Sequence, residues 1–191
     1  MNLRRLESEA IRDSILMASG KLDLTMGGTA VLLEPRPDGL QVISKKDPTP
    51  NGKWRRSLYI EARRGYPLSF LEVFDYPLMQ TSCNRRLNSS TPLQSLTLLN
   101  DDFMIEQSRL VASRVDRVAA AKPLDAKIEM AYLLALSRKP NPAELSACAQ
   151  HFREQQQAYL DANVTREAAS EMALASLCQM LLSTNEFLYP D

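Results

Sequence analysis

From Pro92 to the end of the chain, apolar residues recur every three or four positions, and three of the runs open on residues suited to a helix start. That pattern points to a helical array. Helix 92–99 holds Leu93, Leu96, Thr97 and Leu99. A new start at Asp101/Asp102 leads a longer helix to about Val118, with Met104, Val111, Val115 and Val118 on one stripe. Ala119–Ala121 and Pro123 end it. Helix 125–137 carries Ile128, Ala131, Tyr132, Ala135 and Leu136. In "KPNPAEL" Asn141 caps and Pro142 takes the first helical position, where its missing N–H costs nothing. Helix 142–160 stripes Leu145, Cys148, Phe152 and Tyr159. Helix 165–184 stripes Leu174, Leu177, Cys178 and Leu181. Connections this short make neighbouring helices antiparallel.

The first part of the chain reads differently. Residues 3–19 are predicted helical, with Leu3, Leu6, Ala10 and Met17 on one face and Ile11 and Ile15 beside it; Asn2 is the cap and Gly20 the stop. "VLLEPRPDGLQVI" reads as two short strands around a Pro-Asp-Gly turn, and the polar segment 44–53 as an exposed loop. In residues 54–64, Leu58, Ile60 and Ala62 alternate with Tyr59, Glu61 and Arg63, which predicts a strand. Pro67 opens a short helix, and 77–90 is an ordered loop. So few strands cannot bury a face alone. The expectation is a mainly α fold: an antiparallel helical array over 67–191, with the N-terminal helix and small β element of 1–66 packed on it. The whole is a single domain or the C-terminal part of a larger one.

Composition narrows the function classes. Lys+Arg and Asp+Glu both number 23 in the 191 residues, so the net charge is zero, whereas a general nucleic-acid binder is usually basic. No apolar run approaches the roughly 18 residues of a membrane span. The charged N-terminus lacks the apolar core of a signal peptide. The chain is therefore cytoplasmic if it begins at Met1, or periplasmic or in the cell envelope if it is the tail of an exported protein. The cysteines, Cys83, Cys148 and Cys178, form no CxxC, and the last two lie on apolar helix faces, which predicts buried free thiols. No HExxH or calcium loop occurs, so no metal site is expected; "LTMGG" lacks the Gly-Lys-Ser/Thr of a phosphate loop and reads as a turn.

The stretch "NRRLNSSTPLQSLTLLND" (84–101) poses the functional question. Ser90 or Thr91 fits an N-cap, Pro92 the first helical position, and Gln94 completes a capping box. A hydroxyl nucleophile here needs a base within hydrogen-bond reach. The single His, His151, reads as a solvated helix residue. The arginine pairs Arg55/Arg56, Arg63/Arg64 and Arg85/Arg86 carry more interest. An arginine near the start of helix 92 favours an anion, because free amides and guanidinium donors converge there. Internal pairing with Asp75, Glu72, Glu61 or Asp101 is the alternative, and both readings stay open.

Six ordered segments, "RRLESEAIRDSILMASGKLDLTMGG", "RRSLYIEARR", "LEVFDYP", "CNRRLNSSTPLQSLTLLND", "AYLLALSRKPNPAEL" and "LCQMLLSTNEFLYPD", together resemble the C-terminal part of the planctomycete-type domain of unknown function 1553. The resemblance runs from Leu3 to Asp191. It implies a large exported parent protein, often with a c-type cytochrome domain upstream. This chain has no haem motif, so no cofactor is expected within it. The family pattern recurs here as Cys83, Arg85, Arg86, Thr91, Pro92, Gln94, Leu99 and Asn100. With Arg55 and Arg56, this corner is the candidate binding locus: Arg55, Arg56, Arg85, Arg86, Thr91 and Gln94. No catalytic residue transfers from the family. Two functions follow as expectations. One is a non-catalytic structural or binding module that docks on upstream domains, a partner protein or a polysaccharide. The other is an anion- or polysaccharide-binding part of an active site completed by an upstream domain. Either implies apolar surface left open for docking.

Overall fold

The structure is a computed structural model that describes residues 4–77, 86, 89–120 and 122–190. Its elements in chain order are α1 (Ser8–Ser19), β1 (Leu33–Pro35), β2 (Gln41–Ile43), α2 (Ser69–Val73), α3 (Pro92–Asn100), α4 (Asp102–Val118), α5 (Leu124–Leu136), α6 (Pro142–Asp161), α7 (Arg166–Leu182) and α8 (Asn185–Leu188). The fold is mainly α, with one small antiparallel sheet among the described residues. The expected loop over 77–90 lies largely outside those residues, as do Asn2, Leu3, Cys83 and Arg85.

The helix boundaries follow from local chemistry. Asp101 accepts a hydrogen bond from Phe103 N at 2.8 Å and so starts α4. Asn141 and Glu144 exchange side-chain bonds with each other's amides at 2.9 and 2.7 Å, which starts α6. Gly20 ends α1 at φ 72°, a left-handed conformation that a Cβ would strain, and its N–H closes on Leu16 and Met17. α7 packs along α4 on one side and α6 on the other. Its Leu174, Leu177, Cys178 and Leu181 are all buried, as their spacing predicts. One contiguous apolar cluster runs from Ile11 and Ile15 of α1 through Val31, Leu71 and Phe74 to Met104, Val115, Leu177 and Leu188. The N-terminal elements therefore share their core with the array.

Four local expectations are corrected. Residues 4–7 lie outside the helix, with Glu7 extended, because Leu6 N is taken by Leu188 O at 2.8 Å and Arg5 reaches across to other segments. The buried face of α1 is Ile11, Ile15 and Ala18, while Met17 is exposed. Residues 54–64 form no strand: 3₁₀ turns occupy Gly52–Trp54 and Ser57–Tyr59, and only isolated bridges Asp23–Arg55 and Val31–Ile60 remain. The cause lies on α1. Arg12 takes the carbonyls of Lys53 and Arg55, and Asp13 takes the N–H and hydroxyl of Ser57, which coils the segment around them. Finally, α3 turns Gln94 and Leu98 inward, so Leu93, Leu96 and Leu99 face solvent.

The β hairpin and the thiols behave as read. Leu33 pairs with Ile43 and Pro35 with Gln41 around a turn closed by Gly39 N on Arg36 O at 2.9 Å. Cys148 and Cys178 are buried and free, and burial raises both thiols.

At the far end of the array, Arg138 forks between Glu144 and Glu186 with four bonds of 2.6–2.8 Å, tying the end of α5 to the starts of α6 and α8. With the Asn141 amide added, this holds the Glu144 carboxyl at about 2 against its usual 4.5. A carboxyl held low favours the folded state when ionised. Its contribution is therefore full above pH 4.5 and is lost as the pH falls toward 2. The melting temperature of the wild type is expected to drop more steeply across that window than that of Glu144→Gln. Parallel profiles would refute this.

Candidate functional site

Two arginines of the candidate locus, Arg56 and Arg86, lie along α1. Glu9 and Asp13 are one turn apart, on the same face of α1. Arg86 meets Glu9 at 2.6 Å and Glu7 at 3.3 Å; Arg56 meets Asp13 at 3.5 Å. Arg86 keeps the Glu9 carboxyl below its usual value against the opposing effect of burial. Arg56 and Arg86 thus lie on neighbouring carboxylates of one helix face, with half and a third of their side chains exposed.

Arg55 points elsewhere. It is buried, lies 4.0 Å from the Tyr59 ring centroid, and donates to the carbonyls of Thr25, Gly27 and Thr29. Gly27 N in turn donates to Tyr59 Oη at 3.3 Å. The "LTMGG" turn therefore wraps its carbonyls around a guanidinium. A phosphate loop does the reverse and turns N–H groups inward, so this turn is built for a cation that the chain itself supplies.

Thr91 and Gln94 close the start of α3. Thr91 N donates to Gln94 Oε1 at 3.5 Å, completing a capping box. The Gln94 amide is buried and donates to Val73 O at 3.0 Å and Ser89 Oγ at 3.3 Å. Ser89 also binds Asp75, through its N–H at 2.7 Å and its hydroxyl at 2.8 Å. Arg5 is the hub of this corner: it donates to Ser89 O at 2.6 Å, Phe74 O at 3.0 Å and Asp75 Oδ2 at 2.6 Å. These bonds keep the Asp75 carboxyl low although burial opposes it. In the first turn of α3, Pro92 has no N–H to offer and Gln94 N donates to Thr91 O at 3.1 Å. Arg85, another residue of the locus, lies outside the described residues.

A family model described as PSD1, a protein of unknown function (DUF1553), matches residues 1–152. The chain belongs to that family. No curated protein and no solved structure matches it.

In this PSD1-family chain the key polar residues are ones that the spacing argument passed over. Arg5 and Arg12 are buried, and Arg114 donates to the carbonyls of Met17 and Ala18 at the end of α1. A signal for two of them was present: Arg5, Ser8, Arg12, Ile15 and Ser19 follow a helical stripe, so Arg12 shares a face with a core isoleucine. His151 is less solvated than its polar neighbours suggest. It is half-buried, and its Nε2 lies 3.2 Å from Ser176 Oγ, joining α6 to α7. Ser176 sits within α7, where the backbone amides are used by the helix, so its own helix supplies no free amide for an oxyanion. Among the described residues no group of three or more His, Cys, Asp or Glu side chains is placed to hold a metal. No described helix is long and apolar enough to cross a membrane.

One apolar face is left open on α3. Leu93, Leu96 and Leu99 form an i, i+3, i+6 stripe on α3, each more than half exposed. Gln179 of α7 anchors this helix by donating to the carbonyls of Leu98 and Leu99 at 3.1 and 2.8 Å.

Proposed function

We propose that the chain is a structural and binding module at the C-terminal end of a larger cell-envelope protein, and that it works by docking rather than by chemistry of its own. The leucine stripe on α3 carries this reading. Three leucines at helical spacing on a capped, anchored helix make a preformed apolar face of the kind that helix-to-surface contacts use. Upstream domains of the parent protein, or a partner protein, are the occupants this reading names. The second reading, anion or polysaccharide binding, would rest on Arg56 and Arg86. Both already face carboxylates on α1, which an incoming anion would have to displace.

The isolated chain is expected to self-associate through this face, while Leu93→Ser/Leu96→Ser/Leu99→Ser sediments as a monomer. A monomeric wild type at micromolar concentration would sink the docking reading. If sulfated oligosaccharides raise the melting temperature and Arg56→Ala abolishes the shift, the second reading takes its place.

A further inference from the structure

The two edges of the hairpin differ in their donors: the β1 edge offers no free N–H, and the β2 edge keeps one at Ile43. Arg36 N donates to Leu40 O at 2.8 Å and Ser44 N to Leu32 O at 2.9 Å, bracketing a ladder in which Glu34 faces Val42. In an antiparallel pair the intervening residues turn their amides outward. On the β1 side Leu33 N is taken by Glu61 Oε1 at 2.6 Å, and Pro35 has no N–H. On the β2 side Gln41 N is taken by Ser69 Oγ at 2.8 Å, which places that edge against the start of α2. The N–H and C=O of Ile43 and the C=O of Gln41 have no hydrogen-bond partner among the described residues.

Gln41 and Ile43 of this edge line a cleft of about 660 Å³ between the hairpin, the start of α2 and the start of α4. Leu68, Phe70 and Phe103 give it an apolar wall, and Asp101, Asp102 and Glu106 an acidic one. Its cations are largely committed. Arg36 binds Asp102 at 2.8 Å, and both terminal nitrogens of Arg12 bind groups of the chain; Lys45 is exposed. Lys53, outside the lining, binds Glu106 at 2.8 Å. Asp101 differs from its acidic neighbours: one oxygen caps α4, and no Lys or Arg among the described residues stands within ion-pair distance of it. Burial raises its carboxyl and the neighbouring Asp102 adds to that, while the Phe103 amide and the more distant charge of Arg36 oppose it.

We propose that this cleft binds an extended peptide that adds to β2 at Ile43 and sets a Lys or Arg side chain against Asp101. Unpaired strand-edge groups beside an apolar wall are what strand addition uses, with main-chain bonds for affinity and alternate side chains for specificity. A strand on this edge points successive side chains to opposite faces. One set meets Phe70 and Phe103, and the other reaches the carboxylates. This site is separate from the α3 stripe, and its failure leaves the docking reading intact.

The probe is a blocked heptapeptide of alternating valine and lysine, titrated into the isotope-labelled chain and followed by amide resonances. Saturable movement of the Ile43 amide is expected, with slower hydrogen exchange there and roughly tenfold weaker binding of the valine–glutamate counterpart. A lysine peptide N-methylated along one edge should not bind, a control that needs no change to the protein. Asp101→Asn keeps the helix cap and should erase the preference for lysine over glutamate. Binding that leaves Ile43 unmoved, equal affinity for both peptides, or no binding would overturn the proposal. So would Ile43 shifts that track protein concentration without peptide, because a second copy would then occupy the edge.

Discussion

Replacing Arg12 by methionine is expected to cost about 3 kcal/mol of stability and to lower the melting temperature by roughly 6–12 °C. Arg12 is fully buried, and its guanidinium binds Arg55 O at 2.9 Å, Lys53 O at 2.8 Å and Ser57 Oγ at 3.2 Å. Methionine keeps most of the stem but leaves two carbonyls without donors. An unsatisfied buried acceptor costs about 1–3 kcal/mol. One effect opposes this: burying the charge is itself unfavourable, and it pushes the Arg12 pKa down to about 10 even with Asp13 nearby. The hydrogen bonds outweigh that desolvation only while all three are made, so partial replacement by lysine should recover little. The measurement is a thermal or urea melt, with hydrogen exchange followed at residues 53–57. A loss under about 1 kcal/mol would mean that water reaches the freed carbonyls and that Arg12 is not the clamp described here.

Leu177→Ala is expected to cost about 2–5 kcal/mol. Leu177 has no solvent exposure and lies on α7, which packs against both α4 and α6. Truncation there removes apolar contact and leaves a cavity between helices that are fixed on both sides, so collapse to fill it is restricted. Leu96→Ala is the internal control. Measured at a dilution where the chain is monomeric, the same change of atoms on exposed α3 should stay within about 0.5 kcal/mol. Similar losses at the two positions would mean that α3 is buried in solution by self-association, and sedimentation of the same samples would show it.

The two substitutions also mark where the sequence was informative. Leu177 could be placed in the core from its spacing with Leu174, Cys178 and Leu181, because a helix repeats its own geometry and the stripe needs no knowledge of the partner. The starts of α3, α4 and α6 were equally legible. The groups that cap them, Thr91 with Gln94, Asp101, and Asn141 with Glu144, lie within three residues of the amides they satisfy. The hairpin was legible for the same reason, since its Pro-Asp-Gly turn and both strands are contiguous.

Arg12 could not be assigned its role in that way. Its acceptors lie more than forty residues along the chain, and an arginine in a charged N-terminal segment reads as solvated until those carbonyls are seen around it. The same long-range bonds decided that 54–64 coils instead of extending, since alternation of apolar residues cannot register that a helix elsewhere claims the carbonyls. Arg5 and Leu6 show it again. Partners at Asp75, Ser89 and Leu188 hold residues 4–7 out of the helix against their own helical periodicity. For the candidate locus the sequence named Arg55, Arg56 and Arg86 but not their fates: one inside a turn of carbonyls, two on carboxylates of α1. The sequence by itself determined the helical class, the caps and the core stripe of α7, because those depend on neighbours within a turn. Tertiary structure alone decided which polar side chains became internal clamps, which leucines stayed outside and which strand edge stayed open, because each depends on a partner that only the folded chain brings within a few ångströms.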